Sequence, residues 1–403
     1  MSRGESHTNT DIEVLRAIAV SFTLIAHLVW GIVPKLGTIG REVYPAFAFW
    51  TGVDLFFAIS GFVITASLLR LRTQHLELAG PEGRRDLADF IRFARPFWIR
   101  RVFRLLPSAW LWIGITLLLA GFYNAHDSFG ALRFNLHEAV AAVFDVANFY
   151  YYSWFAHGHS AYGSLGVYWS LSLEEQFYLL FPLILFFLRP RAMIGGLIVL
   201  FLAQFFVPRP DGFDPHQASL LWFIRTDAVI LGVLIATWQS HPSYRTVEPR
   251  FLRRRIPALA ALGAGVALLA AVPAFSPDPI ATGIVALISG GLVLIASYDR
   301  HYILPPARLK SALVWLGSRS YSIYLIHVAG RAAILETKRR YEIAGGSAAA
   351  ALWSVLSVVL ILLIAELNFR LVETPFRNLG RRLAERYRRR PDDVVRTPVR
   401  VGD

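Results

Sequence analysis

The sequence of 403 residues contains no cysteine. Disulfide bonds, thiolate nucleophiles and cysteine metal sites are therefore excluded, and we expect no metal cofactor. Charged residues are also scarce, at 17% of the chain, whereas a soluble globular domain has about 25%. The scarcity is concentrated in apolar runs of about twenty residues, the length of a helix that crosses the bilayer core.

The apolar runs predict an all-α, polytopic bundle of about ten transmembrane helices. Backbone polar groups find no water within lipid, so continuous apolar runs must be helical there, whereas the strands of a β-barrel would alternate. The first ten residues are polar and predict no cleavable signal peptide. The predicted spans are 12–33, 46–69, 102–122, 168–188, 192–208, 217–238, 256–274, 280–297, 312–336 and 347–371.

The formal net charge of +13 indicates orientation in a membrane rather than nucleic-acid binding, because the basic residues lie mainly in loops between the spans. Basic loops favour the cytoplasmic side. The loop at 245–255 falls on that side only if 137–152 does not span. We therefore predict that 137–152 does not span the membrane. This makes 123–167 one long external loop and places both termini in the cytoplasm. The basic residues at 338–340 are an exception, since they fall outside.

Two segments are predicted to lie outside the spans. Residues 86–101 mix aromatic side chains with arginine, a pattern typical of a helix that lies in the cytoplasmic interface. Residues 377–403 are basic and interrupted by proline, which predicts a disordered cytoplasmic tail. The remaining residues, 1–376, are predicted to form a single membrane-embedded domain without an internal repeat.

Ionisable residues inside spans are costly and often mark function. The first span carries Arg16 and His27, which share one helix face because eleven residues make about three turns. Arg16 lies near the cytoplasmic end and His27 in the outer half. Other spans carry ionisable groups at about the depth of His27: Asp54, Glu174, the neighbours Arg225 and Asp227, and His327.

Each of these groups also has a purely structural interpretation. Arg16 can reach lipid headgroups and His27 can hydrogen-bond a neighbouring helix, while Arg225 and Asp227 can belong to ion pairs. Near the cytoplasmic side, Arg16, Arg100, Arg101 and Arg104 form a basic cluster. The forked donors of arginine suit phosphate, although anionic lipid headgroups would attract the same residues.

Six short motifs follow one another in a fixed order along the spans. They are Arg16-x10-His27, GVDLFFAISGFVIT at 52–65, Arg101-x-x-Arg104, WSLSLEEQFYLLFP at 169–182, LGSRSYSIYLIH at 316–327 and ETPFR at 373–377. Together they resemble the acyltransferase family 3 of membrane O-acyltransferases. The resemblance covers essentially the whole chain.

This resemblance implies transfer of an acyl group, most often acetyl, from cytoplasmic acyl-CoA to a carbohydrate hydroxyl. The acceptor would be a surface polysaccharide, a lipopolysaccharide or a lipid-linked glycan. The resemblance also implies that the chain is a multi-pass protein of the cell membrane. Some members carry a further hydrolase-like domain, but this chain continues only about thirty residues past the last predicted span, far short of a domain. The resemblance therefore predicts the stand-alone form.

The motifs and the depths of the side chains together predict a site. Arg16, Arg101 and Arg104 would hold the phosphates of acyl-CoA. His27 would take the proton of the acceptor hydroxyl, and Glu174 or Asp54 would orient its ring; the sequence does not distinguish these carboxylates.

Two other functions fit parts of the pattern. His27, Asp54 and Glu174 could form the relay of a proton-coupled transporter, although transporters commonly show internal repeats. An inert membrane scaffold would need no buried charge. The aromatic and histidine residues at 150–159 could stack on sugars or form a belt at the membrane interface.

Overall fold

The computed structural model describes residues 9–29, 47–79, 86–209, 213, 218–275, 280–304, 306–341 and 347–387. Throughout these ranges the chain consists of helices and connecting turns, without a β-strand. The prediction of an all-α fold is therefore confirmed for the described residues. Parts of four predicted segments, at 30–33, 46, 217 and 388–403, lie outside them.

The helices longer than one turn are numbered in chain order. They are α1 (Thr10–Val29), α2 (Gly52–Ala79), α3 (Leu87–Phe122), α4 (Leu132–Val143), α5 (Ala147–Ala156), α6 (Tyr168–Phe187), α7 (Pro190–Phe205), α8 (Asp227–Trp238), α9 (Arg255–Phe275), α10 (Ala281–Ser297), α11 (Arg308–Ser318), α12 (Ser320–Arg340), α13 (Ser347–Asn368) and α14 (Thr374–Arg386). A single turn, Leu220–Phe223, precedes α8.

Six helical segments among the described residues are long and apolar enough to cross a membrane. They are Phe49–Glu77, Leu87–Phe122, Tyr168–Phe187, Leu220–Trp238, Arg255–Phe275 and Val355–Arg386. Each overlaps one of the ten predicted spans, so a multi-pass membrane protein is supported. The total of about ten spans and the cytoplasmic position of the termini stay predictions.

The other four predicted spans have structural features that explain why they are less clear. Helix α1 carries Asp11, Glu13 and Arg16 in its first two turns. Helices α7 and α10 are apolar but have only 16 and 17 residues, fewer than the roughly 20 that span the bilayer core. The predicted span 312–336 is divided at Arg319 between α11 and α12.

Helix α3 differs from the predicted separate interfacial helix at 86–101. It runs without a break for 36 residues, with Pro96 and Pro107 inside it, and the Asp86 side chain caps its first turn. Phe90 and Phe93 pack on Phe186 of α6, with ring centroids 5.5 and 5.6 Å apart. The apolar face that suggested contact with lipid is therefore buried against protein, and the segment continues directly into the third span.

The predicted disorder beyond Arg377 is wrong as far as Tyr387, because α14 is helical there. Its small residues Gly380 and Ala384 are buried, and a Cβ on Gly380 would lie 2.5 Å from the Cβ of Phe103 in α3. Small side chains one turn apart let the two helices approach closely. The basic composition gave no sign of this contact, because most of the arginines, Arg381, Arg382 and Arg386, are exposed.

The segment 123–167, predicted to be an external loop, contains two short helices, α4 and α5. Their 12 and 10 residues are too few to cross the bilayer core, as the charge argument predicts for 137–152. The Glu138 carboxylate accepts hydrogen bonds from the backbone N–H groups of Gly163 (2.6 Å) and Leu165 (2.9 Å). This contact fixes the loop just before α6 begins.

Helices α2 and α8 pack backbone against backbone at the centre of the bundle. A Cβ on Gly61 would lie 2.2 Å from the carbonyl oxygen of Val229, and one on Gly232 would lie 2.2 Å from that of Ala58. Small residues at such positions permit close helix contact in membranes. The contact places Asp54 of α2 near the start of α8.

Candidate active site

Three predicted arginines line one cavity with a predicted carboxylate. Arg16 of α1, Arg101 and Arg104 of α3, and Glu174 of α6 all contribute to its wall. Four of the six residues proposed from the sequence thus come together although they lie on three different helices. The remaining polar lining consists of Ser60, Ser170, Tyr178, Ser320, Tyr321 and Tyr324.

The arginines are held in different ways. Arg16 pairs with Glu13, three residues earlier on α1, at 3.1 Å. The Arg101 guanidinium lies 5.5 Å from the Phe97 ring centroid and 5.4 Å from that of Tyr178. The Nε of Arg104 is buried and has no hydrogen-bond partner within the described ranges. An anion in the cavity would supply the missing acceptor, and phosphate matches the fork of arginine.

Glu174 is oriented by two hydroxyl groups. Ser60 of α2 and Tyr178, one turn along α6, both donate short hydrogen bonds to the same oxygen of its carboxylate. His27 is not among its hydrogen-bond partners in the described part of the chain. The structure therefore associates Glu174 with the arginine cavity rather than directly with the imidazole of His27.

His27 has a neighbour that belongs to another predicted span. Its Nδ1 lies 2.9 Å from the Thr23 carbonyl oxygen, and its ring centroid is 4.7 Å from that of His327 in an edge-to-face arrangement. His327 is fully buried, and its Nδ1 lies 2.7 Å from the carbonyl oxygen of Tyr324. The two histidines that the sequence placed at similar depth therefore form a pair.

Tyr324 lies between this histidine pair and the arginine cavity. Its hydroxyl is 2.6 Å from the hydroxyl of Ser170, and its ring centroid is 5.5 Å from that of His327. Because Tyr324 also lines the cavity, it separates the basic site from the histidines by one side chain.

Asp54 forms a buried ion pair with Arg225. Arg225 donates through Nε to one Asp54 oxygen at 2.9 Å and through Nη2 to the other at 3.1 Å. Its guanidinium is surrounded by the rings of Trp222, Trp50 and Trp169, with centroids 4.1, 5.3 and 4.9 Å away. A carboxylate held in this way is not placed to orient His27, so we propose that Asp54 has a structural role.

Asp227 does not pair with Arg225, which lies two residues before it. The Asp227 carboxylate instead accepts hydrogen bonds from Arg209. The start of α8 therefore holds two separate buried ion pairs.

The aromatic residues of the external loop form a stack. The Trp154 ring is stacked with that of His159, 4.1 Å away, and with that of Tyr150, 5.9 Å away, with interplanar angles of 29° and 21°. Trp154 and His159 also line a surface pocket with Arg133 and His137.

Sequence reasoning missed several polar residues of the site. Tyr178 is four residues from Glu174, a spacing that places both on one helix face, and could have been recognised. The contact of Ser60 with Glu174 joins residues 114 positions apart. A contact between distant helices leaves no periodic signal in the sequence.

Comparison with known proteins gives the family. The model for an acyltransferase domain matches residues 9–366. The chain is 29% identical over 396 residues to the peptidoglycan O-acetyltransferase OatA of Listeria monocytogenes. The matched region covers 92% of this chain and 56% of that protein. It is 28% identical over 365 residues to the O-acetyltransferase OatA of Staphylococcus aureus, covering 85% and 56%. No solved structure matches.

The chain therefore belongs to acyltransferase family 3, as its motifs predict, and the prediction of an acyltransferase domain is confirmed. The chain spans about half the length of the curated relatives it matches.

Proposed function

We propose that this chain is a membrane O-acyltransferase that moves an acyl group, most readily acetyl, from cytoplasmic acyl-CoA to a hydroxyl of a carbohydrate. The observation that carries the proposal is the cavity shared by Arg16, Arg101, Arg104 and Glu174, with His27 and His327 beyond Tyr324. The proposed phosphate site and the proposed proton acceptor would then share one part of the bundle.

The arginines support binding of the donor. Coenzyme A carries several phosphate oxygens, and charge-assisted hydrogen bonds from arginine are among the strongest that a protein makes. With the phosphates on the arginines, the pantetheine arm would extend past Tyr324 toward His27. The separation of Arg16 and His27 along α1, about 16 Å for eleven residues, gives this arm room.

His27 supports the chemistry. The Thr23 carbonyl oxygen can only accept a hydrogen bond, so Nδ1 of His27 carries the hydrogen and Nε2 carries the lone pair. Nε2 would take the proton of the acceptor hydroxyl while its oxygen attacks the thioester carbonyl. The carbon–sulfur bond then breaks, and the imidazolium returns the proton to the departing thiolate.

The acceptor class rests on the relatives. The Listeria protein is named a peptidoglycan O-acetyltransferase, so a glycan that contains N-acetylglucosamine is the first acceptor to test. A proton relay in a transporter receives less support, because Asp54 and Glu174 are engaged by Arg225 and by two hydroxyls. A relay would require these carboxylates to face a common path.

The test is acetyl transfer by purified protein in lipid nanodiscs, with acetyl-CoA and a soluble chitooligosaccharide. A positioned general base contributes about 10²–10⁴-fold to the rate, so His27→Gln should lose at least about a hundredfold while it still binds acetyl-CoA. Glutamine keeps a hydrogen bond but cannot accept the proton. Near-normal turnover in this variant would mean that the base is another residue.

Mass spectrometry of surface glycans tests the acceptor in the cell. A strain that lacks the protein should lose O-acetyl groups from one glycan, and the wild-type chain should restore them while His27→Gln should not. Glycans that are identical in both strains would contradict a carbohydrate acceptor.

A further inference from the structure

The histidine pair has more proton-accepting capacity than a single general base needs. The Tyr324 carbonyl oxygen can only accept, so Nδ1 of His327 carries the hydrogen, as Nδ1 of His27 does. Both Nε2 atoms then carry lone pairs. The Nε2 of His327 is buried and has no hydrogen-bond partner among the residues that the structure describes.

An unpaired acceptor in this position is unusual. A buried polar atom without a partner is destabilising, and nearly all buried polar atoms in folded proteins are paired. His327 is fully buried and its ring contacts that of His27. A hydrogen-bond donor beside the two rings would satisfy the Nε2 atom of His327. The imidazolium that forms when His27 takes up a proton would be such a donor.

We propose that His327 is the proton-sharing partner of His27, in place of the carboxylate, Glu174 or Asp54, that was predicted from the motifs. The proposal rests on the proposed function and adds a residue to it. Glu174 and Asp54 are occupied elsewhere, whereas His327 is 4.7 Å from His27 between ring centroids. A neutral imidazole so close stabilises an imidazolium without adding a permanent negative charge to the membrane interior.

The proton balance of the step is simple. The acceptor hydroxyl loses its proton to His27 as its oxygen bonds to the thioester carbon, and the neutral His327 ring stabilises the resulting cation. When the carbon–sulfur bond breaks, the electron pair leaves with sulfur and the shared proton passes to the thiolate. The pair ends neutral, the acceptor carries the acyl group, and free thiol is released.

The absence of cysteine provides a direct assay, because a thiol reagent detects only the coenzyme A that is released from acetyl-CoA. The protein is tested in nanodiscs with a chitooligosaccharide as the acceptor. His327→Gln should lower kcat about a hundredfold, within the range for a proton-transfer residue, with unchanged acetyl-CoA affinity and thermal stability. His241→Gln, at an exposed histidine, is the matched control and should keep full turnover.

Chemical rescue separates chemistry from packing. His327→Ala leaves a ring-sized cavity, into which imidazole and pyrrole both fit, but only imidazole has a basic nitrogen. Imidazole should restore turnover at least tenfold and pyrrole should not. Equal rescue by both compounds, or near-normal turnover in His327→Gln, would make His327 a packing residue and overturn the proposal.

The double variant His27→Gln/His327→Gln checks that the two rings act as one unit. Residues that act together are strongly non-additive, so the double variant should be no slower than the slower single variant. Multiplied losses would overturn the proposal. Failure of the proposed function gives a different result, because wild-type protein would then release no thiol or His27→Gln would remain active.

Discussion

Among the arginines of the cavity, Arg101 lies between the rings of Phe97 and Tyr178 and so is held in place before a donor arrives. A charge-assisted hydrogen bond contributes about 1.5–3 kcal/mol. We therefore expect Arg101→Ala to weaken acetyl-CoA binding by roughly ten- to a hundredfold. Arg101→Lys should recover only part of the affinity, because lysine lacks the fork. Isothermal titration calorimetry in nanodiscs measures both variants.

Arg95 provides the control for Arg101. It lies on the same helix, and its guanidinium packs 3.5 Å from the ring centroid of Tyr387 outside the cavity. Arg95→Ala should leave donor affinity unchanged. If Arg101→Ala binds acetyl-CoA as tightly as Arg95→Ala does, the cavity arginines contact lipid headgroups and not phosphate of the donor.

The Asp54–Arg225 pair gives a second prediction about single residues. Both side chains are nearly fully buried, so loss of one partner leaves an uncompensated charge. Removal of one member of a buried pair costs about 3–5 kcal/mol, and Arg225→Ala and Asp54→Asn should both unfold at clearly lower temperature. An apolar replacement of both, Asp54→Leu with Arg225→Met, should recover much of the loss.

Arg370→Ala is the reference for this measurement. Its side chain is 69% exposed although it pairs with Glu366, and exposed ion pairs contribute about 0–1 kcal/mol. The thermal unfolding of all variants is compared in the same detergent. If the Asp54→Asn protein stays fully stable but loses turnover, Asp54 has the catalytic role that was predicted from its depth, and the proposed structural role is wrong.

The character of individual residues was predictable, whereas their partners were not. An ionisable side chain inside a membrane span is energetically costly, and this cost correctly predicted that Arg16, His27, Asp54 and Glu174 each need a partner. Which partner each finds depends on contacts between distant helices: Asp54 and Arg225 are 171 positions apart. Helical periodicity gives the face of a residue but not the neighbour of that face.

At the scale of helices, the long apolar runs predicted the elements well and their ends less well. The interfacial helix at 86–101 merges with α3, and the predicted span 312–336 breaks at Arg319. Arg319 pairs with Glu366 at 2.8 Å and lies 4.3 Å from the ring centroid of Phe369. These contacts come from α13 and from the π-helical segment Phe369–Glu373 that follows it, which are distant from Arg319 in the sequence.

The external loop gives a prediction for one element. Burial raises the pKa of the Glu138 carboxyl from 4.5 to about 7. The hydrogen bonds that it accepts from two backbone N–H groups lower the pKa, but burial has the larger effect. The folded loop therefore binds the proton more tightly than the unfolded loop does. This contribution to stability is complete below pH 4.5 and is lost as the pH rises through 7.

The measurement is the pH dependence of thermal unfolding for wild-type protein and Glu138→Gln. Wild type should lose stability relative to the variant between about pH 4.5 and 7, by at most about 3 kcal/mol for a shift of this size. Glutamine does not titrate, so its curve lacks this component. Parallel curves across the range would show that Glu138 stays ionised and that its two N–H donors outweigh burial.

For the whole molecule, composition predicted a multi-pass helical protein because no soluble fold needs so many long apolar runs. Two of the three positive residues at 338–340, which the charge argument left unexplained, have partners in the structure. Arg339 donates to the His126 carbonyl oxygen at 2.8 Å, and Arg340 lies 4.4 Å from the ring centroid of Tyr123. They bind the end of α12 to the start of the external loop.

The orientation of the chain is the remaining prediction about the whole molecule. It depends on 137–152 not spanning, and the division of this segment between α4 and α5 is consistent with that choice. A reporter that is active only outside the cytoplasm should therefore be active when fused at Ala161 and silent when fused at Arg250. A reporter that is active only in the cytoplasm, fused at the same two positions, should give the opposite pattern and control for expression. The arginine cavity would then open toward the cytoplasmic supply of acyl-CoA, as the proposed function requires. Activity of the outside reporter at Arg250 would show that the later half of the bundle has the orientation opposite to the predicted one. The basic loop at 245–255 would then lie outside, against the positive-inside bias.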